Sequence, residues 1–257
     1  MNRAAVAAAC IALAMLASSL RADPQPARPL PEQDAFFAAT RENLARAQRE
    51  QYQYAYKERR SDLHVNPFGS KVGTEGTSVY EVTPLSEGAV SRKLIERNGK
   101  RITDSTPERQ DRRLPRASSS TRTMIDDVVE SLDFRIDRRE LLDGRDTIVV
   151  AFSPRPGAKP RTREGRTAHN FKGNVWIDEE AREVVRAQAV AIDDLTFGYG
   201  LFARLDEGTT ATLTRRPMSD GIWLPTSVRF VGEGRAMLVR KLTLDYAVEW
   251  FDYRKVL

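Results

Sequence analysis

The stretch MLVRKLTLDYAVEWFDY, residues 237–253, alternates apolar and polar side chains along its length. Successive side chains of a β-strand point to opposite faces of the sheet, so this pattern predicts a strand with one apolar and one wet face. The apolar side comprises Leu238, Leu242, Leu244, Tyr246, Val248 and Trp250. The run is longer than a typical strand, and we expect it to bend or curl.

The same alternation recurs along most of the chain, in pairs of runs joined by short turn-forming segments. The turns lie at residues 86–88, 143–144, 179–182 and 219–221. Each pair is typical of a β-hairpin, which gives about ten antiparallel strands. Helices are predicted at 34–51, capped by Asp34, and at about 123–132, where Thr123 and Asp126 resemble a capping pair. The predicted fold class is mainly β (α+β): one strongly curved antiparallel sheet, a half-barrel, wrapped around two or three short helices.

The N-terminal residues have the order of an export signal. Arg3 supplies the positive start, residues 6–17 are apolar, and small residues follow. We expect residues 1–22 to be a signal peptide, 23–33 a Pro-rich leader and 34–257 one domain. Cys10 is the one cysteine of the sequence, so cleavage would remove every thiol and exclude disulfides and cysteine metal sites. The prediction is a periplasmic protein, with an uncleaved N-terminal anchor as the alternative.

The positive charge of the chain is concentrated in one segment. Formal net charge is +5, and residues 153–172 account for that surplus. The rest is near neutral, which argues against a nucleic-acid-binding protein. This segment and the Arg- and Ser-rich segment 106–122 have two interpretations: solvated connections, or cationic lips that contact a membrane surface or an envelope protein transiently.

No catalytic or metal-binding motif is visible. His64 and His169 lack a partner at metal-ligand spacing, and neither a nucleophile elbow nor a phosphate loop is present. The acidic pairs at 126–127 and 193–194 are interpreted as solvated caps. We therefore predict no catalytic residue, no metal and no cofactor, in a protein that is not an enzyme.

The segment LTFGYGLFARL, residues 195–205, fits a loose dinucleotide-binding fingerprint. Such a loop needs a βαβ unit, whereas the preceding run carries Arg186 and Gln188 at alternate positions, as in an antiparallel sheet. The nucleotide interpretation is rejected. Two remain: a short core helix, or a flexible lid over an apolar cavity. The candidate lid residues are Phe197, Gly198, Gly200, Leu201 and Phe202.

Two stretches carry a family resemblance: GNVWIDEEAREVVRAQAV at 173–190 and DGIWLPTSVRF at 220–230. In their order after an N-terminal helix and hairpins, they resemble the LolA/LolB-like superfamily of periplasmic lipoprotein-sorting carriers, over residues 34 to 257. The resemblance implies a half-barrel over an apolar cavity that takes acyl chains. The superfamily also includes lipid-sensing regulators and lipid transporters, so the fold does not specify the ligand.

The expected function is a periplasmic carrier of lipoprotein acyl chains or lipids, bound in an apolar cavity under the sheet. The candidate lining residues are Ile148, Val150, Phe152, Ile222, Leu224, Val228, Phe230, Leu242, Leu244, Tyr246 and Trp250. The sequence leaves open whether they line a cavity or pack against the helices as a dry core. It also leaves open an envelope-interaction or lipid-sensing regulatory domain, and a hydrolase with dispersed catalytic groups.

Overall fold

The computed structural model describes residues 28–62, 76–85, 89–110, 118–197, 203–236 and 240–256. The predicted signal peptide and the first part of the predicted leader lie outside these ranges. Of a first unit, Met1–Pro31, only residues 28–31 are described, without regular secondary structure. Residues Glu32–Leu257 form a second, compact unit. None of the helices described is long and apolar enough to span a bilayer.

The described residues include three α-helices: α1 (Gln33–Glu50), α2 (Ser118–Ser131) and α3 (Arg163–Ala168). A 3₁₀ turn, Gln51–Gln53, follows α1. The predicted cap of α1 is wrong by two residues, because the Glu32 carboxylate accepts the N–H groups of Asp34 and Ala35 at 2.9 and 2.7 Å. The predicted capping pair of α2 is also wrong. That helix begins at Ser118, which places Thr123 inside it.

Strands account for most of the remaining described residues. They are β1 (Tyr54–Asp62), β2 (Gly76–Pro84), β3 (Val90–Arg97), β4 (Lys100–Arg101), β5 (Glu108–Gln110), β6 (Leu132–Leu142), β7 (Arg145–Pro154), β8 (Phe171–Asp178), β9 (Val184–Ala191), β10 (Leu195–Phe197), β11 (Ala203–Leu205), β12 (Thr210–Pro217), β13 (Trp223–Ala236) and β14 (Arg240–Lys255).

All these strands belong to one 14-stranded sheet with the order β4-β3-β2-β1-β14-β13-β12-β9-β8-β7-β6, and β5, β10 and β11 pair off this path. Every pairing is antiparallel. Within the described residues no pairing joins β4 to β6, so the sheet is open. The predicted fold class, a half-barrel of antiparallel strands with few short helices, is confirmed, and all four predicted hairpins form.

Irregularities in strand pairing bend the sheet. The register shifts in five pairings, including β12 with β13 and β8 with β9. A β-bulge bends its strand and increases the local twist. The predicted bend in the last strand occurs near its end, where Asp252 has a φ of 53° and the register with β1 shifts.

Helix α1 lies on one face of the sheet. Its Phe36 is 2% exposed and packs on Ile148, Val150, Ile177 and Val184. Further along, Ala47 packs with Tyr54, Ile222 and Leu224. The opposite face is not uniformly wet, since it carries an apolar cluster that includes Trp176 and Val149. Alternation predicted a sheet with one apolar and one wet face, and the apolar cluster on the second face departs from that prediction.

The cationic segment 153–172 is held to α2 by one buried carboxylate. Asp127 is 2% exposed. It accepts hydrogen bonds from the Arg161 N–H at 3.0 Å, and from the Thr162 N–H and hydroxyl at 2.7 and 2.6 Å. These bonds, the Arg161 N–H first, hold the pKa of Asp127 well below its ordinary value. Asp127 is therefore an anchor for the start of α3, not the solvated cap that the sequence suggested.

Replacing Asp127 with asparagine should lower the melting temperature by several degrees at pH 7, because an amide offers one acceptor oxygen to three donors. A depressed folded-state pKa gives stability that is present above the unfolded pKa, near 3.9, and is lost as pH falls. The difference between the two proteins should therefore start to shrink near pH 4 and diminish further as pH falls toward the folded-state pKa. Thermal melts across pH measure this. Asp126→Asn is the control, since Asp126 only meets Arg41 at 3.4 Å near the surface; equal losses in both variants would contradict the anchor.

Candidate functional site

Strand register places the predicted lining residues on the face that carries α1. Val150 lies opposite Val175, which continues through Ala187, Leu213, Val228 and Val248. A second row runs from Phe152 through Gly173, Ala189, Ala211 and Phe230 to Tyr246. Leu242 and Leu244 lie opposite Gly234 and Gly232 in the same series, although their side chains lie outside the described set. Ile222 and Leu224 join this face through Ala47 of α1.

Helix α1 covers part of this face. Ile148, Val150 and Leu224 are 0%, 1% and 0% exposed, and Ile222 is 8% exposed. Ile148 and Val150 pack in one cluster with Phe36 of α1, and Ile222 and Leu224 pack in another with Ala47 of α1. A ligand could reach them only by displacing α1.

The middle of the same face is less covered. We call it the central strip, formed by Ala187, Ala189, Ala211, Leu213, Val228, Phe230 and Tyr246. Each of these side chains is half-buried. Alanines occupy three of the seven positions, so the strip has a shallow floor between the larger Phe230 and Leu213. Buried Phe171 and Ala191 pack against one end of it, together with Phe152.

Sequence reasoning missed the four members of the strip on β9 and β12. The signal was present in RAQAVA and TATLT, where small or apolar residues occupy every second position. Alanine contributes little hydrophobicity, so the three alanines ranked below the large side chains as candidate lining residues. Their small size is nevertheless what leaves room for a ligand on the strip.

The predicted lid is only partly described. Gly198, Gly200, Leu201 and Phe202 lie outside the described residues, as does the Phe197 side chain. The flanking strands form a hairpin, with Phe197 opposite Ala203. Strand β11 then pairs with the end of β13, Ala203 opposite Ala236. The segment thus connects β10 to β11, and β11 pairs with β13. Its role as a lid stays a prediction.

A buried charged cluster lies beside the central strip on the same face. Glu58 is 6% exposed. Its carboxylate accepts hydrogen bonds from Arg92 at 2.5 Å, Arg60 at 2.6 Å and the Trp250 indole N–H at 3.2 Å. The Arg92 guanidinium lies 3.7 Å from the centre of the Tyr80 ring. Trp250, predicted as apolar lining, thus forms the border between the apolar strip and this cluster.

A second buried ion pair, between Arg215 and Glu183, lies next to α1. Arg215 Nη1 lies 3.0 Å from Glu183 Oε2, and Arg46 of α1 lies 3.6 Å from the other carboxylate oxygen. Arg215 also donates to the Trp223 carbonyl at 2.7 Å. Burial raises the pKa of Glu183 and lowers the pKa of Arg215, so desolvation outweighs the attraction on both sides.

The described residues assemble no candidate metal centre. They contain no group of three or more His, Cys, Asp or Glu side chains that could hold a metal ion. His169 is engaged through Nδ1 with the Ser131 carbonyl at 3.0 Å, and His64 lies outside the described residues. The arrangement at hand is an apolar strip bordered by buried charge, which suits binding of an amphiphile.

A scan against models of known protein families finds none that matches this chain, and no curated protein matches it. Solved structures do match. A DUF1329 family protein from Desulfovibrio piger is 13% identical, with 85% of this chain and 92% of that chain covered and a TM-score of 0.35. A LolA superfamily protein from Nitrosomonas europaea is 11% identical, with 88% and 94% covered and a TM-score of 0.33.

The Mycobacterium tuberculosis lipoprotein LppX is 12% identical, with 88% and 98% covered and a TM-score of 0.31. The superfamily that the sequence resembles is therefore among the matching structures. Identities and TM-scores are low throughout, so the functional proposal rests on the residues of this chain.

Proposed function

We propose that this protein is a periplasmic, non-enzymatic binder and carrier of acylated ligands, lipids or the acyl chains of lipoproteins. The observation that carries the proposal is the central strip, a half-buried apolar track with a shallow floor on the face that also holds α1. A sheet face that only packed a core would be covered along its length, as Ile148 and Val150 are.

The strip supplies the affinity that an acyl chain needs. Burial of each methylene contributes about 0.8 kcal/mol, so a dozen would contribute about 10 kcal/mol before the costs of association. No specific polar contact is then required, which agrees with a chain that shows no chemical motif. The candidate residues for chain contact are Phe152, Val228, Phe230 and Tyr246, with Leu242 and Leu244 continuing their rows.

The charged border suits a ligand with a polar end. The Arg60 side chain is 41% exposed beside the Glu58 carboxylate, within reach of solvent, whereas the side chains of Arg92 and Glu58, taken without their backbone atoms, are 10% and 8% exposed. An acyl chain on the central strip would have its polar end near Arg60 when it runs along the row from Val228 to Val248, because Val248 lies opposite Arg60.

The test is extraction of the protein from its native compartment. We expect mass spectrometry of organic extracts from the purified periplasmic protein to show enriched acylated molecules, and its N-terminal residue to lie near Ala22 or Asp23. A Phe230→Asp variant purified in parallel should carry less, because a carboxylate on the strip must be desolvated under the chain. Extracts without enrichment would contradict the carrier, and retention of Met1 would contradict cleavage.

A further inference from the structure

A polar groove lies on the face of the sheet opposite α1. It has a volume of about 270 Å³. Arg186, Thr214 and Ser227 form one row across β9, β12 and β13, and this row alternates with the strip residues Ala187, Leu213 and Val228. The groove and the central strip are thus on opposite sides of the same strands.

Two β-bulges open this groove. The register of β8 with β9 shifts between Trp176 and Ile177, which leaves Val185 as an extra residue. The register of β12 with β13 shifts between Thr214 and Arg215, which leaves Thr226 as an extra residue. Both extra residues line the groove. The pairing of β9 with β12 also ends there, at Arg186 and Thr214. Bulges are over-represented beside functional sites, where they redirect side chains.

Two arginines without ion pairs flank the groove. Other arginines on this face are paired, as Arg59 is with Glu249 at 2.7 Å and Arg229 with Asp245 at 2.8 Å. Arg186 and Arg216 form no ion pair with any residue that the structure describes. Arg215 also lines the groove, but it is buried and paired with Glu183 at 3.0 Å.

The positive charges at the groove outnumber the negative charges that are free to neutralise them. Asp143 is on the lining. The charge of Glu140 also acts on Arg186, but this carboxylate is bound by Arg138 at 2.6 Å. Glu249 lies opposite Ser227 in the same row and is paired with Arg59 at 2.7 Å. Among the described residues, two guanidiniums without an ion pair therefore face one carboxylate without an ion pair, that of Asp143.

Hydroxyl groups complete the lining. Thr214 Oγ1 lies 2.5 Å from Ser227 Oγ and 3.1 Å from Thr226 Oγ1. Thr226 Oγ1 also lies 3.4 Å from the Thr214 carbonyl oxygen, to which it can donate. Each hydroxyl is a rotor that can redirect its hydrogen to an entering acceptor. Guanidinium forks with neighbouring hydroxyls match the oxygens of a tetrahedral oxyanion.

We infer that this groove binds a phosphate group, through Arg186, Arg216 and the hydroxyls of Thr214, Thr226 and Ser227. The shared chemistry is a phosphate monoester or free phosphate, so the source is either a soluble anion or the headgroup of a lipid at a membrane surface. This site is independent of the acyl-binding strip on the other face.

Isothermal titration of the full mature chain with inorganic phosphate, and flotation with phosphatidylcholine vesicles with and without phosphatidic acid, test the inference. The Arg186→Met/Arg216→Met variant should lose at least about tenfold in affinity, since a charged hydrogen bond is worth that factor. The control is Arg155→Met/Arg254→Met, which removes the same charge from positions paired with Asp133 at 2.8 Å and Glu81 at 3.4 Å, outside the groove lining, and should bind like the parent.

Phosphate binding that is lost in the groove variant supports a soluble anion, and loss confined to phosphatidic acid vesicles supports a headgroup. Equal losses in the groove and control variants, or a parent protein that binds neither probe, overturn the site. An Arg186→Lys/Arg216→Lys variant keeps the charge without the planar fork, and its affinity should fall between those of the parent and the methionine variant. Such an intermediate affinity would show that the loss in the methionine variant is not due to misfolding. None of these outcomes depends on acyl binding.

Discussion

Ala211→Trp should weaken binding of a fluorescent fatty-acyl probe by at least about tenfold, because displacing two methylenes at about 0.8 kcal/mol each corresponds to that factor. Ala211 lies between Ala189 and Phe230 in the central strip. An indole at this position occupies the shallow floor on which a chain would lie. Probe titration with the purified variant measures the effect.

Neighbouring positions on the strand provide the control. Thr212 lies between Gln188 and Arg229 on the opposite face, so Thr212→Trp adds the same side chain without entering the strip. A second pair is Phe230→Asp against Val231→Asp, since Val231 is 40% exposed on the other face. We expect loss in Ala211→Trp and Phe230→Asp alone. Folded strip variants with parental affinity would show that acyl chains bind elsewhere or not at all.

Glu183→Ala should destabilise the fold by about 3–5 kcal/mol, because it leaves the Arg215 guanidinium buried without its carboxylate. The side chains of Arg215 and Glu183 are 7% and 2% exposed. Arg46→Ala should cost far less, because Arg46 is 48% exposed. Denaturant unfolding of the three proteins measures the difference.

The double variant Glu183→Leu/Arg215→Met separates the strength of the pair from the penalty of breaking it. Both pKa directions, up for Glu183 and down for Arg215, indicate that burial disfavours each charged form. Apolar replacements of similar size should therefore restore most of the stability lost in Glu183→Ala. A double variant as unstable as the single one would show that the ion pair itself stabilises the fold.

The hairpins could be predicted from sequence because alternation and turn residues act locally. Asp143 and Gly144 both adopt positive φ, at 51° and 79°, as a tight turn between two strands requires. Helix ends were harder. The N-cap of α1 is Glu32, not the predicted Asp34. Helix α2 begins in a Ser-rich segment whose composition had indicated a loop. Periodicity identifies an element better than it identifies its first residue.

The candidate site was predicted only in outline for a different reason. Alternation assigns a residue to a face, but the part of the face that a helix covers depends on how that helix docks. Ile148 and Phe230 were therefore equal candidates, although Phe36 buries only the first. Tyr54, Tyr56, Glu58 and Arg60 occupy alternate positions of β1 and therefore share one face. The two charged residues were missed because they interrupt the apolar alternation that the tyrosines begin. Their neighbours Arg92 and Trp250 come from distant strands.

The pairing of β1 with β14 has a consequence for how the protein folds during its synthesis. Lys57 and Asp252, 195 positions apart, meet across this pair. Contacts of such high sequence separation form slowly, because the intervening loop must close first. While the chain is emerging, β1 and β13 have open edges that only β14 can occupy, and unpaired edges invite aggregation. Strand β14 must therefore be synthesised before the sheet between β1 and β13 can be completed.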